Sequence, residues 1–204
     1  MALEATHIKF ALDVADKYGV LDLKRYISGT IYPDSRYISK INRQLTHRNE
    51  MLDPHLATDD FLRGWAVHVL CDKVQSKVFR EVFSDYLSEK GTEPYWIETT
   101  ALKTLLDMHI LKSFNLQPYL HYLDHVETRS CEPEKFLHEY NNLIVNLYKD
   151  KDIPTVEDYK KVLLAFGIDA DLVGSVIDKI VKYQKVKEIN DNFEKVCSMI
   201  VKEV

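Results

Sequence analysis

Long stretches without helix-breaking residues are the feature that most limits how this chain can fold. Its 204 residues include only six glycines and six prolines, and helices are the elements that run long between such breaks. One stretch runs from Asp59 to about Ser88 with only Gly64 as an interruption, and its apolar residues recur at helical spacing. No segment shows the sustained alternation of a strand. The sequence therefore predicts an all-α protein, a multi-helix bundle with this long helix at its centre.

Further helices are predicted on both sides of the central one. Apolar spacing, glycines and prolines place their boundaries. We expect helices over residues 3–18, 21–27, 97–114, 118–128, 134–148 and 156–166, and a last long helix from about 171 to the C-terminus. Residues 28–35 and 45–57 contain Gly29, Pro33 and Pro54 and are predicted to be loops.

The segment 149–155 is the only plausible linker in the chain. It separates a helical domain, residues 1–148, from a C-terminal helical appendage, residues 149–204. The appendage can equally be part of the same domain, because nothing else in the composition changes at this point.

Charge and hydropathy exclude several classes of protein. The net charge is -5, and the basic residues are spread along the chain, which disfavours nucleic-acid binding. No apolar run approaches 18 residues, and the N-terminal segment carries charged residues within its periodic pattern, so we expect neither a membrane span nor a signal peptide. A cytoplasmic protein is expected, with Cys71, Cys131 and Cys197 as reduced, buried thiols.

Five residues of the first 72 are candidate metal ligands. His68 and Asp72 are four apart on the central helix and so share one of its faces. His7 lies on the apolar face of the first helix, and Asp34 and His47 lie in the two predicted loops. Each has an ordinary alternative: a core His–Asp hydrogen bond, a half-buried histidine or a turn-closing aspartate. Together, three histidines and two aspartates suit zinc or a similar divalent ion, and an aspartate that bridges would allow two ions.

These residues also carry a resemblance to a known family. Thr6-His7, Gly29-Thr30-Ile31-Tyr32-Pro33-Asp34, Thr46-His47 and the run from Phe61 to Asp72 follow the order of motifs in the zinc-dependent phospholipase C and P1 nuclease group. Over about the first 90 residues the chain resembles the short bacterial members of that group. The resemblance implies that His7 binds one ion, that Asp34, His47 and His68 bind another, and that Asp72 bridges the two.

The chain departs from this family in two respects. The secreted phospholipases use a processed N-terminal amine, and they use a further histidine and a glutamate after the bridging aspartate. Here Met1 lies six residues before His7 without a cleavable signal, and residues 73–78 contain no metal-binding side chain. We therefore expect one or two ions rather than three.

Three other histidines are candidates for a place beside the metal. His121 and His125 are four residues apart within a predicted helix, the spacing with which one helix face chelates zinc, but they lack the glutamate of a zincin motif. A packing or surface pair is the competing interpretation. His55 follows Asp53-Pro54 in the same polar stretch as His47 and is a candidate contact for a ligand or substrate.

The leading functional hypothesis is a metal-dependent hydrolase of phosphoric esters, with a phosphodiester as the bond class that the resemblance implies. Asp34 and Asp72 are the predicted catalytic carboxylates: Asp34 binds metal and orients or deprotonates water, and Asp72 bridges. The expected substrate is a small phosphorylated molecule, with phospholipid as one option.

Two alternatives stay open. One is a nucleotide phosphohydrolase of the HD class, although the chain has no His-Asp dipeptide and only the reversed pair Asp124-His125. The other is an inactive helical protein that binds metal or a partner.

Overall fold

The computed structural model describes residues 3–48 and 53–204, and these residues form helices with no strand. The all-α prediction is confirmed. Within this part of the chain, no helix combines the length and apolar character needed to cross a membrane. The helices are α1 (Glu4–Val14), α2 (Leu23–Ile31), α3 (Arg36–Ser39), α4 (Arg43–Thr46), α5 (Asp60–Val82), α6 (Glu93–Ile110), α7 (Glu134–Tyr148), α8 (Val156–Ala165), α9 (Ala170–Gln184), α10 (Lys187–Asp191) and α11 (Phe193–Glu203). Short 3-10 helices cover Tyr32–Ser35, Pro54–Leu56, Ser84–Tyr86 and Gln117–Asp124.

The long helix α5 is 23 residues and packs against α1, α2 and α11. The side chain of Asp59 accepts a hydrogen bond from the Leu62 amide at 3.0 Å and so caps its N-terminus. The helix ends at Val82, earlier than the predicted residue 88, and the chain continues through a 3-10 turn.

Helices α2 and α5 approach each other closely at Gly29 and Gly64. A Cβ atom on Gly29 would lie 2.0 Å from the carbonyl oxygen of Phe61, and one on Gly64 would lie 2.0 Å from that of Tyr26. Only residues without a side chain allow this contact. The prediction of a loop over residues 28–35 is therefore wrong in its first half: Gly29 lies inside α2, and its function is close packing rather than interruption.

The predicted last helix, from residue 171 to the C-terminus, is divided into α9, α10 and α11. No glycine or proline marks the division. The side-chain amide of Asn190 donates to the carbonyl oxygen of Gln184 at 3.1 Å, a carbonyl group that a continuing helix would have bonded through its backbone. The break lets α9 lie against α6 while α11 lies against α5.

The C-terminal helices contribute to the same hydrophobic clusters as the N-terminal ones. One cluster joins Phe10 and Val78 to Val176 and Ile200. A second contains residues of α1, α2, α7 and α8. The hydroxyl group of Tyr18 also donates to the carbonyl oxygen of Val204. Residues 149–204 are therefore packed into the core that residues 1–148 build.

The three cysteines are free thiols, but their environments differ. Cys71 is buried, Cys197 is partly buried and Cys131 is exposed. The prediction that all three are buried is wrong for Cys131, which lies with a φ of 62° in the connection before α7.

Candidate metal centre

Five side chains from four different segments meet beside the crossing of α2 and α5. His7 comes from α1, Asp34 from the 3-10 turn after α2, His47 from the residue after α4, and His68 and Asp72 from α5. His47 Nε2 lies 3.9 Å from Asp34 Oδ1 and 3.5 Å from Asp72 Oδ2. His68 Nε2 lies 4.0 Å from Asp34 Oδ2, and His7 Nε2 lies 3.9 Å from Asp72 Oδ1. The predicted candidate ligands are thus brought together.

The backbone fixes the orientation of two of the imidazoles. The carbonyl oxygen of Thr30 lies 2.8 Å from His68 Nδ1, in reach because α2 and α5 touch. The hydroxyl group of Thr46 lies 2.9 Å from His47 Nδ1. Trp65 donates from Nε1 to the carbonyl oxygen of Thr46 at 2.6 Å and so holds α4 against α5. Because Nδ1 of each ring has a hydrogen-bond partner, Nε2 of each ring faces the carboxylates. Metal-ligating histidines are commonly oriented in this way by a partner at their other ring nitrogen.

Most of the facing polar atoms are buried without a hydrogen-bond partner in the described part of the chain. These atoms are Nε2 of His7, His47 and His68, Nδ1 of His7 and both carboxylate oxygens of Asp34. A buried polar atom left unpaired costs about 1–3 kcal/mol, so a cluster of this size is unfavourable unless something binds it. Nitrogen and oxygen atoms arranged in this way fit a divalent cation.

The protonation states also suit a cation. Burial lowers the pKa of His68 to about 4, and it lowers the pKa of His7 well below the ordinary value, an effect to which neighbouring His68 adds. Both rings are therefore neutral near pH 7 and can donate a lone pair. Burial opposes ionisation of Asp34, but nearby positive charge outweighs burial and lowers the pKa of Asp34 to about 2.

The separations are close to those of a tetrahedral zinc site. A Zn–N bond of about 2.1 Å implies neighbouring donor atoms about 3.4 Å apart, against the 3.5–4.0 Å seen here. By distance alone the donors form two overlapping groups, one with His7, Asp34 and His68 and the other with His47, His68 and Asp72. The residues present therefore fit a divalent ion.

Three cationic side chains surround the two carboxylates, and the sequence motifs had not indicated them. Lys103 of α6 is buried and donates from Nζ to Asp72 Oδ1 at 3.1 Å. Arg36 Nε lies 3.8 Å from Asp34 Oδ1, and Arg43 Nη2 lies 3.9 Å from Asp72 Oδ2. Burial disfavours the charge on Asp72, but Lys103 and other nearby groups together outweigh burial and hold the pKa of Asp72 well below its ordinary value.

Solvent reaches the cluster on one side. The side chains of His7, Asp34, His47 and His68 are at most 3% exposed, whereas Asp72 is 8% exposed and neighbouring Arg43 is 58% exposed. A small molecule would therefore approach along Arg43 and Asp72.

The other predicted histidines lie elsewhere among the described residues. His55 is exposed and packs edge-on against Tyr18, with ring centroids 4.8 Å apart. His121 lies in the 3-10 helix Gln117–Asp124 and its ring contacts Tyr122. His125 follows that helix and its Nε2 lies 3.1 Å from Glu127. The expected α-helix over 118–128 is wrong, so the four-residue spacing of His121 and His125 does not place them on a common α-helical face.

Comparison of the chain with protein-family models, with curated proteins and with solved structures gives no match.

Proposed function

We propose that this protein is a metal-dependent hydrolase of phosphoric esters, most simply of a phosphodiester. The observation that carries the proposal is the set of buried, unpartnered donor atoms from His7, Asp34, His47 and His68, which form two overlapping groups that share His68. The family resemblance supplies the reaction class. A divalent ion bound here would act as a Lewis acid on a phosphoryl oxygen and would lower the pKa of water.

The protein's own groups suit an anionic substrate. Arg43 is exposed at the open side of the cluster, 3.9 Å from Asp72, and its guanidinium group can bind two oxygens of a phosphoryl group in one plane. A phosphoryl group bound to Arg43 would be positioned beside the carboxylates and the ion that they would hold. Positioning of this kind is a main contribution that a protein makes to phosphoryl transfer.

The two carboxylates have different roles in this proposal. With a pKa of about 2, Asp34 stays ionised near neutral pH, which suits a metal ligand that accepts a hydrogen bond from water and orients it. Such a low pKa makes Asp34 a weak proton acceptor. Asp72 lies at the open side, and Lys103 keeps it ionised.

A second candidate function is a metal-binding protein without turnover. Burial favours it, because four of the five candidate ligands are at most 3% exposed and structural zinc sites are closed, whereas catalytic sites keep an open position. The partial exposure of Asp72 beside Arg43 favours the hydrolase instead.

Metal content and turnover, measured on the same preparations, test the proposal. We expect protein purified without added metal to contain or take up Zn²⁺, and to hydrolyse bis(p-nitrophenyl) phosphate faster than p-nitrophenyl phosphate. His68→Ala should lower metal affinity at least about 100-fold, because His68 is the donor common to both groups. His138→Ala is the matched control, since His138 is an exposed histidine of α7.

Each result decides between the candidates. Metal uptake with turnover that His68→Ala abolishes supports the hydrolase. Metal uptake without turnover on either ester favours the binding protein, and the absence of metal uptake contradicts both.

A further inference from the structure

The buried ammonium group of Lys103 lies where a second metal ion would be expected. Asp72 turns its two oxygens in different directions. Oδ2 faces His47 Nε2 at 3.5 Å, whereas Oδ1 faces His7 Nε2 at 3.9 Å. An aspartate that bridges two ions uses one oxygen for each, so the Oδ1 side is where an ion bound to His7 would lie. Lys103 Nζ already lies on that side, 3.1 Å from Oδ1.

The orientation of the imidazoles also separates His7 from the other donors. The rings of His7 and His68 are stacked, with centroids 3.8 Å apart and planes inclined by 19°. An imidazole nitrogen binds an ion through a lone pair in the plane of its ring, so two stacked rings direct their lone pairs side by side. The rings of His47 and His68 are inclined by 76°, which allows their lone pairs to converge. His68 therefore shares an ion with His47 more readily than with His7.

His68 cannot serve two ions at once. Its Nδ1 lies 2.8 Å from the carbonyl oxygen of Thr30, so Nε2 is its one free donor. An ion bound to His68 therefore leaves no donor of this residue for a second ion, and the carboxylates of Asp34 and Asp72 lie 3.5–4.0 Å from His47 or His68 on the side of that ion.

We propose that Lys103 takes the place of a second metal ion, so that the chain holds a single divalent ion through Asp34, His47, His68 and the Oδ2 oxygen of Asp72. This inference rests on the metal site of the proposed function and specifies its composition. The ammonium group of Lys103 binds Oδ1 and repels a second cation.

The hydrogen-bonding capacity of Lys103 supports this role. An ammonium group has three N–H donors, and Asp72 is the only acceptor found for Lys103 among the described residues. His7 Nε2 is an unpartnered acceptor that faces the same oxygen. Lys103 therefore has unused N–H groups on the same side of Asp72 as this unpartnered nitrogen.

Zinc stoichiometry tests this inference without any assay of activity. The metal-free protein is titrated with Zn²⁺ by calorimetry, and bound zinc is counted by elemental analysis after desalting. We expect one ion per chain for the parent and two for Lys103→Met, which keeps the length of the side chain but removes its charge. Lys103→Met combined with His7→Ala should return the count to one. Lys179→Met is the matched control, because Lys179 forms a 3.2 Å ion pair with Glu98 away from the cluster, and it should still bind one ion.

Two ions in the parent, or one ion in correctly folded Lys103→Met, would overturn the role of Lys103 while leaving the proposed function intact. No ion in the parent would overturn both. If circular dichroism shows that Lys103→Met is unfolded, His7→Ala alone decides: retention of one ion with affinity within about tenfold supports the proposal, and loss of the ion contradicts it.

Discussion

Asp34 and Asp107 are both buried carboxylates, at 1% and 0% exposure. They differ in the hydrogen bonds that their oxygens accept. Asp107 accepts hydrogen bonds from the amide and hydroxyl groups of Thr6 at 2.8 and 2.9 Å, and from the hydroxyl groups of Tyr148 and Tyr159 at 2.8 Å each. Asp34 accepts none from the described residues. Burial alone therefore does not distinguish the two carboxylates, whereas the absence of hydrogen-bond partners does.

Asp107 and the candidate metal centre are connected through α1. Thr6, which bonds to Asp107, directly precedes His7, which faces Asp72. The network around Asp107 joins α1 to α6, α7 and α8, so it fixes the turn of α1 that presents His7. The hydrogen-bonded network around Asp107 therefore helps to hold His7 in place among the unpartnered donor atoms of the candidate metal centre.

Glu4 is intermediate between these two cases. Its Oε1 accepts a hydrogen bond from the hydroxyl group of Tyr140, while its Oε2 has no partner among the described residues. Burial, helped by the negative charge of Asp34, raises the pKa of Glu4 to about 8. Glu4 is therefore protonated at neutral pH in the metal-free protein.

The largest effect on stability is expected at Asp107. Asp107→Asn replaces an acceptor-only group by one that also donates, so at least one of the four hydrogen bonds is lost and donors stay buried without a partner. We expect the free energy of unfolding to fall by about 3 kcal/mol, with or without metal. Urea denaturation in EDTA and in Zn²⁺ measures this, and a loss confined to the zinc-bound protein would contradict a purely structural role.

A pH-dependent effect, smaller for each pH unit than the loss at Asp107, is expected at Glu4. In the unfolded chain Glu4 loses its proton near its ordinary pKa of 4.5, whereas in the folded protein it keeps the proton until about pH 8. Its contribution to stability is therefore complete below about pH 4.5 and is lost as the pH rises toward 8. The parent should lose stability relative to Glu4→Gln at no more than about 1.4 kcal/mol per pH unit in this interval.

This difference is measured by urea denaturation of the metal-free parent and variant at several pH values. Other titrating groups are common to both proteins and cancel. Parallel pH profiles would show that Glu4 does not keep its proton in the folded state.

A smaller effect on the metal-free protein than at Asp107 is expected at Asp34, although the substitution is the same. Asp34→Asn removes no hydrogen bond, but it removes a charge that nearby positive groups stabilise enough to lower the pKa of Asp34 to about 2. Its free energy of unfolding in EDTA should fall by no more than about 2.5 kcal/mol near pH 7. Zn²⁺ should raise the melting temperature of the parent but not of the variant. A larger loss of stability in EDTA would mean that Asp34 is part of the structural network.

Much of the helical architecture could be predicted from the sequence. Helix α7 begins and ends where Pro133 and the apolar spacing place it, and α8 differs from its prediction by one residue. The failures lie where side chains from elsewhere decide. Gly29 is compatible with a helix because α5 lies against it, and the break after Gln184 depends on hydrogen bonds from Asn190.

The surroundings of the candidate site were harder to predict than its ligands. Histidine and aspartate on apolar faces stand out in a sequence. Lys103 did not, because Lys103 and Asp107, four residues apart on a helix, resemble an ordinary surface ion pair. In the structure both are buried and bind different partners, Asp72 and the Thr6–tyrosine network. Their position in the largely apolar stretch 101–108 was the available signal.

The sequence by itself determined the helical class and the residue types that can bind a divalent ion, because periodicity and side-chain chemistry are local properties. Only the tertiary structure decided which of eight histidines face a common centre, which polar atoms are left without partners, and that Lys103 lies beside Asp72. These depend on contacts between α1, α2, α5 and α6, whose residues are far apart in the chain, and on the close crossing at Gly29 and Gly64 that turns His68 toward Asp34.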